Sequence, residues 1–337
     1  MSIKIKIITF HSEGHPHDEG LPLSDGAVEL RKLVEGQGFS FDVYTPRRMR
    51  ELNAEELIKR FDERYALRLN PSLHKIGMAA WKPFIMLHAL QELNENDILI
   101  YSDSNTQKYP GLAKRLEDIL AFVDETLAGH SFFVGRERPD QLIKAAHHSN
   151  ARQILEIGCN TIFACNFPVH IVNRMVVKKQ KESLKILLFW LALCMEERFI
   201  LPPINGELTH PDFRWFCPEQ SVLNMILANL VEEGNLPYYY AGIGIDRQGN
   251  LFHADNTHIS GLSAPTLKSN YIPFEERFAA QIAAAKIYVS TRQSAVTQLL
   301  KTGPLFEVPL TIDPRLAQSP IAVALEGEIA PAGVAAI

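Results

Sequence analysis

The residues best suited to chemistry follow an apolar run at positions 98–101. Asp103 and Asn105 stand directly beyond it, in the stretch Ile-Leu-Ile-Tyr-Ser-Asp-Ser-Asn. If the run is a strand, both side chains lie at its carboxyl end, where open α/β sheets bind their ligands. A carboxylate near an amide oxygen suits Mg²⁺ or Mn²⁺, and such an ion can hold a diphosphate. The same residue types are favoured in turns, so a plain strand-end turn is the alternative.

The elements that must position these residues are predicted from hydrophobic patterning. The opening run IKIKIITF predicts a first strand, followed by the polar loop HSEGHPHDEG. The segment SDGAVELRKLVEGQG predicts a helix, FSFDVYT a second strand, and Lys82-Pro83 the start of another helix. The run that ends at Asp103 is then the third strand. This alternation predicts an α/β sheet with substantial parallel character.

The second half of the chain has a less regular pattern. We predict a strand over 153–160, with the polar Asn160 interrupting it, two helices within 168–197, and a helix beginning near Pro218. Residues 1–317 are expected to form a single domain. The segment 318–337 is rich in Ala, Pro and Gly and is expected to be a mobile tail.

Composition narrows the class of protein. The 337 residues carry a formal net charge of -5, which provides no basic field for nucleic acid. Four cysteines without a CxxC pair favour reduced thiols. The longest apolar stretch, at 186–195, is too short to span a bilayer, so no transmembrane segment is predicted. We expect a cytoplasmic protein.

A longer motif surrounds Asp103. The segment WKPFIMLHALQELNENDILIYSDSN (81–105) resembles GT-A glycosyltransferases, in one bacterial branch of which a Trp-Lys-Pro helix precedes a strand with a variant Asp-x-Asp motif. The resemblance extends more weakly over about residues 3–262. It includes HPDFRWFCPEQSVLN, similar to an element in which the family has Asp where this chain has Glu219. Asn105 likewise replaces the second acid of the motif.

The resemblance implies a fold and an activity. The fold is a GT-A-like, Rossmann-like, mixed and mainly parallel sheet flanked by helices, with a nucleotide-binding half (1–110) and an acceptor-side half (111–317). The activity is transfer of a sugar from a nucleotide-diphosphate donor, with UDP implied, to a glycan, lipid-linked or protein acceptor in bacterial glycan biosynthesis. The stereochemical outcome implied is retention.

Roles for single residues follow from the same resemblance. A Mn²⁺ or Mg²⁺ ion is expected to bind to Asp103, Asn105 and His258, the last within a partial His-x-x-Gly match. Glu219 and Gln220 are expected to face the reacting sugar carbon. An inverting reaction would instead need a carboxylate base, for which Glu219 or Asp212 qualifies by residue type. The expected donor-binding residues are Thr9, Phe10, Ser12, Lys82, Tyr101, Ser102, Asp103 and Asn160.

Two other functions stay open. The string His15-Pro-His17-Asp18-Glu19 resembles the His-Pro-Asp-Asp-Glu signature of zinc-dependent sugar N-deacetylases, although His17 stands where that family has Asp. Imidazole and carboxylate ligands there would make a hydrolytic zinc site. The loss of the second acid at Asn105 leaves a catalytically inactive nucleotide-sugar-binding protein as the other possibility.

Overall fold

The computed structural model describes eleven stretches of the chain, all within a unit spanning Met1–Leu299. They are residues 3–11, 25–58, 76–107, 109–127, 130–136, 143–159, 161–203, 209–236, 243–245, 250–253 and 271–292. The predicted tail, 318–337, and the loop carrying His15 to Glu19 lie outside them.

A mixed β-sheet forms the centre of the molecule. Five strands, β1 (Ile5–Phe10), β2 (Ser40–Tyr44), β3 (Ile98–Ser102), β4 (Phe132–Arg136) and β5 (His170–Lys178), are ordered β2-β1-β3-β5-β4. The short strands β6 (Ile243–Ile245) and β7 (Leu251–His253) extend the sheet beyond β4. β1 pairs in parallel with β2 and β3, whereas β5 is antiparallel to both β3 and β4.

Helices flank this sheet, and together they make an α/β fold. They are α1 (Asp25–Gly36), α2 (Pro46–Glu51), α3 (Lys82–Gln91), α4 (Gly111–Arg115), α5 (Ile119–Thr126), α6 (Ile162–Asn166), α7 (Lys181–Cys194), α8 (Glu197–Ile200), α9 (Pro218–Glu232), α10 (Phe274–Arg277) and α11 (Ala279–Thr291). Among the described residues, no helix combines the length and apolar character needed to cross a bilayer.

Three predictions about these elements were wrong. The parallel pairs are β1 with β2, β1 with β3 and β4 with β6. The pairs β3 with β5, β4 with β5 and β6 with β7 are antiparallel, so the sheet is partly rather than mainly parallel. The strand expected over 153–160 is a π-helical turn at Gln153–Ile157, because the Gln153 amide donates to Phe199 O at 2.6 Å and holds this turn against α8. The two helices expected within 168–197 are β5 followed by α7.

The two faces of the sheet carry different apolar layers. Alternate residues of β1 point to opposite faces, so Ile8 and Phe10 pack with α3, α7 and α9, whereas Ile5 and Ile7 pack with α1 and α5. Every residue of β1 is buried, as expected for a strand covered on both sides. The first of these layers is the larger and lies beneath the residues described in the next section.

The first turn of α1 lies against the loop that follows β3. A Cβ atom placed on Gly26 would lie 1.9 Å from Ser104 O and 2.8 Å from Thr106 Oγ1. Ser104 directly follows Asp103, so this close approach fixes the backbone beside the candidate residue. Since the nearest atom belongs to the backbone, a side-chain rotation cannot make room.

We therefore expect Gly26→Ala to lower the free energy of unfolding by about 1–3 kcal/mol through overpacking, measured by urea denaturation. Gly36→Ala, at the other end of the same helix, is the matched control because no atom of the described residues lies within 4 Å of its added Cβ. In a helix this second change is neutral or stabilises by up to about 1 kcal/mol. Equal effects of the two substitutions would contradict the close approach.

Helix α3 is also fixed by a buried histidine. The Tyr44 hydroxyl of β2 lies 2.8 Å from His88 Nδ1, an arrangement that suits a neutral imidazole accepting from the phenol. Burial lowers the pKa of His88 from 6.5 to about 4, against the opposing charge of Glu92. The native state therefore favours neutral His88.

The folded-state pKa of His88 is depressed, so its contribution to stability is complete above pH 6.5. This contribution is lost as the pH falls toward 4, because His88 then binds a proton in the unfolded chain but stays neutral in the native state. At about 1.4 kcal/mol for each pH unit, the loss reaches roughly 3 kcal/mol. When the pH is lowered from 7 to 5, the free energy of unfolding measured by urea denaturation should fall less in His88→Gln than in the wild type. In the control His130→Gln, which leaves His88 in place, the free energy of unfolding should fall by as much as in the wild type.

Candidate functional site

Lys82 joins three segments that are far apart in the sequence. Its Nζ lies 3.4 Å from Asp103 Oδ1, 3.5 Å from Glu219 Oε1 and 3.1 Å from Val172 O. Only 4 % of the Lys82 side chain is exposed, so this is a buried cation and not a surface lysine. The Trp-Lys-Pro motif, the strand-end acid and the first turn of α9 therefore meet at one ammonium group.

The start of α3 explains why Lys82 points inward. The Trp81 ring stacks on Phe10 at the end of β1, with ring centroids 3.7 Å apart, and its indole NH donates to Ile76 O at 2.9 Å. Pro83 in the first turn suits a helix start because its missing NH is not needed there. With Trp81 and Pro83 fixed, Lys82 extends along the buried side of the helix. Its Nζ also lies 4.8 Å from the centre of the Tyr101 ring, within cation–π range.

Asp103 is held at the carboxyl end of β3 by two further contacts. The Tyr101 hydroxyl donates to Asp103 Oδ1 at 2.5 Å, and the Asp103 backbone NH donates to Asn173 O at 2.8 Å. Burial, followed by the charge of Asp103, raises the pKa of Tyr101 well above its usual value, so the phenol stays protonated and can donate. The Asp103 side chain remains 36 % exposed. Of the three charged side chains, Asp103 is thus the one that solvent or a ligand can reach.

Glu219 lies at the start of α9, a helix that is buried along its whole length. Its side chain is 1 % exposed, and the Trp190 indole NH donates to Glu219 O at 2.7 Å. Asn224, further along α9, accepts from His170 N at 2.7 Å and donates to His170 O at 3.1 Å. Because His170 begins β5, this pairing docks α9 onto the sheet and sets the position of Glu219.

The remaining predicted residues are distributed over several surfaces. Lys82, Asp103 and Glu219 together are called the Lys82 cluster. Phe10 lies next to it, because its ring stacks on Trp81, the residue before Lys82. Thr9 and Ser102 are buried on the opposite face of the sheet, because side chains alternate along a strand. Within the described stretches the Thr9 hydroxyl has no hydrogen-bond partner, and the Ser102 hydroxyl donates to Asp103 O at 3.1 Å.

Gln220 and Asp212 lie apart from the Lys82 cluster. The Gln220 amide contacts His148 Nδ1 at 3.4 Å, and the exposed Asp212 carboxylate lies 3.6 Å from Lys144 Nζ. His147 and His148 are both buried beside α9. The structure thus places Glu219 and Gln220 in the interior and Asp212 on the surface.

The prediction of a metal ion stays a prediction. Asn105, two residues beyond Asp103, is exposed. His258, Ser12 and Asn160 lie outside the described residues, as do His15 to Glu19. Within the described part of the chain, no three His, Cys, Asp or Glu side chains converge as a ligand set.

Two contributors were missed because β5 was predicted as helix. Val172 O and Asn173 O, which receive Lys82 and the Asp103 backbone, are main-chain groups of this strand. The β-branched residues Ile171, Val172, Val176 and Val177 within eight positions are the signal that could have identified the strand. Comparisons with protein-family models, with curated proteins and with solved structures find no match for the chain.

The buried pair Lys82–Glu219 predicts a large, coupled effect on stability. Lys82→Met leaves the Glu219 carboxylate buried without its cation and should lower the free energy of unfolding by about 3–5 kcal/mol. In the double variant Lys82→Met/Glu219→Gln the buried charge is gone, so the loss should be clearly smaller than the sum of the two single losses.

The surface pair Lys185–Glu275, with side chains 40 % and 58 % exposed, is the control. Lys185→Met should change the free energy of unfolding by less than about 1 kcal/mol. All variants are compared by urea denaturation at one pH. Additive losses for Lys82→Met and Glu219→Gln would show that the two charges do not interact.

Proposed function

We propose that the chain is a GT-A-like glycosyltransferase that transfers a sugar from a nucleotide-diphosphate donor, with UDP as the first candidate nucleotide. The observation that carries the proposal is the convergence at Lys82. The motif around Lys82 and Asp103 and the element around Glu219 resemble glycosyltransferase segments independently, and they lie more than a hundred residues apart. In the fold the carboxylates of Asp103 and Glu219 both come within 3.5 Å of the Lys82 ammonium group.

The position of this cluster suits a donor site. β1 and β3 run in parallel, and Phe10, Asp103 and the amino-terminal end of β5 all lie at the same edge of the sheet. Ligands of α/β sheets bind at such edges because loops and helix starts converge there. Asp103 is partly exposed at this edge, whereas Lys82 and Glu219 lie beneath it.

Charge at the cluster is compatible with a divalent cation. Two carboxylates and one ammonium leave a net negative charge, and Asp103 Oδ1 is already engaged by Tyr101 and Lys82. Asp103 Oδ2 and the exposed Asn105 amide would be the oxygen ligands, and Mg²⁺ sites often use one or two protein ligands plus phosphates. The ion would supply Lewis-acid stabilisation of the leaving diphosphate.

The charged residues then have two different roles: one contacts the donor, and the other two hold that residue in position. Asp103 contacts the donor, through the metal or at the ribose. Lys82 and Glu219 are positioning residues, because each is buried and satisfied by the other. A buried Glu219 is a poor choice for a base that must reach an acceptor hydroxyl, so an inverting reaction would depend on the exposed Asp212 instead.

The donor site is tested by a thermal-shift panel of UDP, GDP, CDP and dTDP sugars, each with and without Mn²⁺. A ligand at about 100 times its dissociation constant adds roughly 2.7 kcal/mol to stability, so a bound nucleotide sugar should raise the melting temperature clearly. We expect one nucleotide to stand out, with a larger shift when Mn²⁺ is present.

Asp103→Asn should remove the Mn²⁺-dependent part of that shift, while Asp124→Asn, at an exposed position on α5, should leave it intact. Release of labelled sugar from the stabilising donor then separates an enzyme from an inactive binding protein. A panel in which no nucleotide sugar raises the melting temperature refutes the proposal, as does a full shift in Asp103→Asn.

A further inference from the structure

One exposed indole stands beside the start of α9. Trp215 is 46 % exposed, and its ring lies over that of the buried His148, with centroids 4.4 Å apart and planes 38° apart. The other two tryptophans of the chain, Trp81 and Trp190, are buried. A single exposed apolar side chain is ordinary on protein surfaces, so exposure alone implies nothing.

What distinguishes Trp215 is that its backbone is fixed. The backbone NH groups of Arg214 and Trp215 donate to His147 O at 2.8 and 3.2 Å, and Cys217 N donates to His148 O at 3.1 Å. The buried imidazole of His148 supports the indole from one side. A ring held in this way loses little conformational entropy when a ligand stacks on it.

The Trp215 surface adjoins the proposed donor site through the first turn of α9. Gln220 contacts His148 at 3.4 Å, and the preceding residue, Glu219, contacts Lys82. Arg214, the residue before Trp215, is exposed, and so is Asp212, whose carboxylate lies 3.6 Å from Nζ of the partly exposed Lys144. They offer both hydrogen-bond donors and acceptors to solvent.

We infer that Trp215 is the stacking platform for a sugar ring of a carbohydrate acceptor, with Arg214, Asp212 and Lys144 as partners for its hydroxyls. The inference rests on the proposed transferase function, since an acceptor must bind next to the donor. A sugar ring combines an apolar C–H face, which suits the electron-rich face of an indole, with a polar rim. Asp212 offsets the charge of Lys144, and the exposed Arg214 adds a guanidinium that can donate to the hydroxyl oxygens of a neutral oligosaccharide.

The experiment uses the full chain on an array of immobilised neutral oligosaccharides, without nucleotide. Oligosaccharides that bind are then titrated in solution while tryptophan emission is followed, because Trp215 is the exposed indole of the three. We expect binding to change this emission and to weaken about ten-fold or more in Trp215→Ala. Trp215→Phe keeps an aromatic face and should stay within about three-fold of the wild type.

Leu120→Ala, at an exposed apolar position on α5, is the matched control and should bind like the wild type. Urea denaturation of each variant confirms that it is folded. Binding to no oligosaccharide of the array overturns the inference, and so does binding that survives in Trp215→Ala. If Trp215→Ala instead abolishes stabilisation by a nucleotide sugar, the indole stacks on the base and the acceptor assignment is wrong.

Failure of the transferase proposal gives a different pattern. The nucleotide panel depends on Asp103, whereas the array depends on Trp215, and the two are measured separately. A silent nucleotide panel together with Trp215-dependent oligosaccharide binding overturns the transferase and supports a carbohydrate-binding surface. If nucleotide sugars stabilise the protein but no oligosaccharide of the array binds, the inferred role of Trp215 is wrong and the proposed donor site is supported.

Discussion

The buried ammonium group of Lys82 is the constraint on which the candidate site depends. A charge removed from water is tolerated only when opposite charges and hydrogen bonds replace its hydration. Here the replacements come from the loop after β3, from α9 and from a carbonyl of β5. Because no one of these segments satisfies Lys82 alone, forming the native core also assembles the site. This coupling holds a partly exposed carboxylate, Asp103, on a rigid structural support.

The antiparallel strand β5 positions the residues of this support. It pairs with β3 from the side opposite β1, so its amino-terminal end lies at the same end of the sheet as the carboxyl ends of β1 and β3. Its main-chain oxygens at Val172 and Asn173 then face Lys82 and the Asp103 backbone. The same end of β5 docks α9 through His170 and Asn224, so one strand positions both carboxylates around the cation.

Local signals in the sequence were enough for the first half of the fold. The start of α3 at Lys82-Pro83 and the end of β3 before Asp103 follow from turn and capping preferences that act over a few residues. The strand β5 and the turn at Gln153–Ile157 did not follow, because short apolar runs suit either a strand or a buried helix until their neighbours are known. The contact between Lys82 and Glu219 joins residues 137 positions apart, and no local pattern specifies it.

The most direct test of a donor site at this edge is a crystal structure of the full chain with UDP and Mn²⁺, using the anomalous signal of manganese to locate the ion. We expect a manganese peak within coordinating distance of the Asp103 carboxylate, with the diphosphate bound to the ion above the carboxyl end of β3. Manganese and nucleotide bound elsewhere, for example at the loop carrying His15 to Glu19, would contradict the assignment. So would crystals in which Asp103 contacts neither.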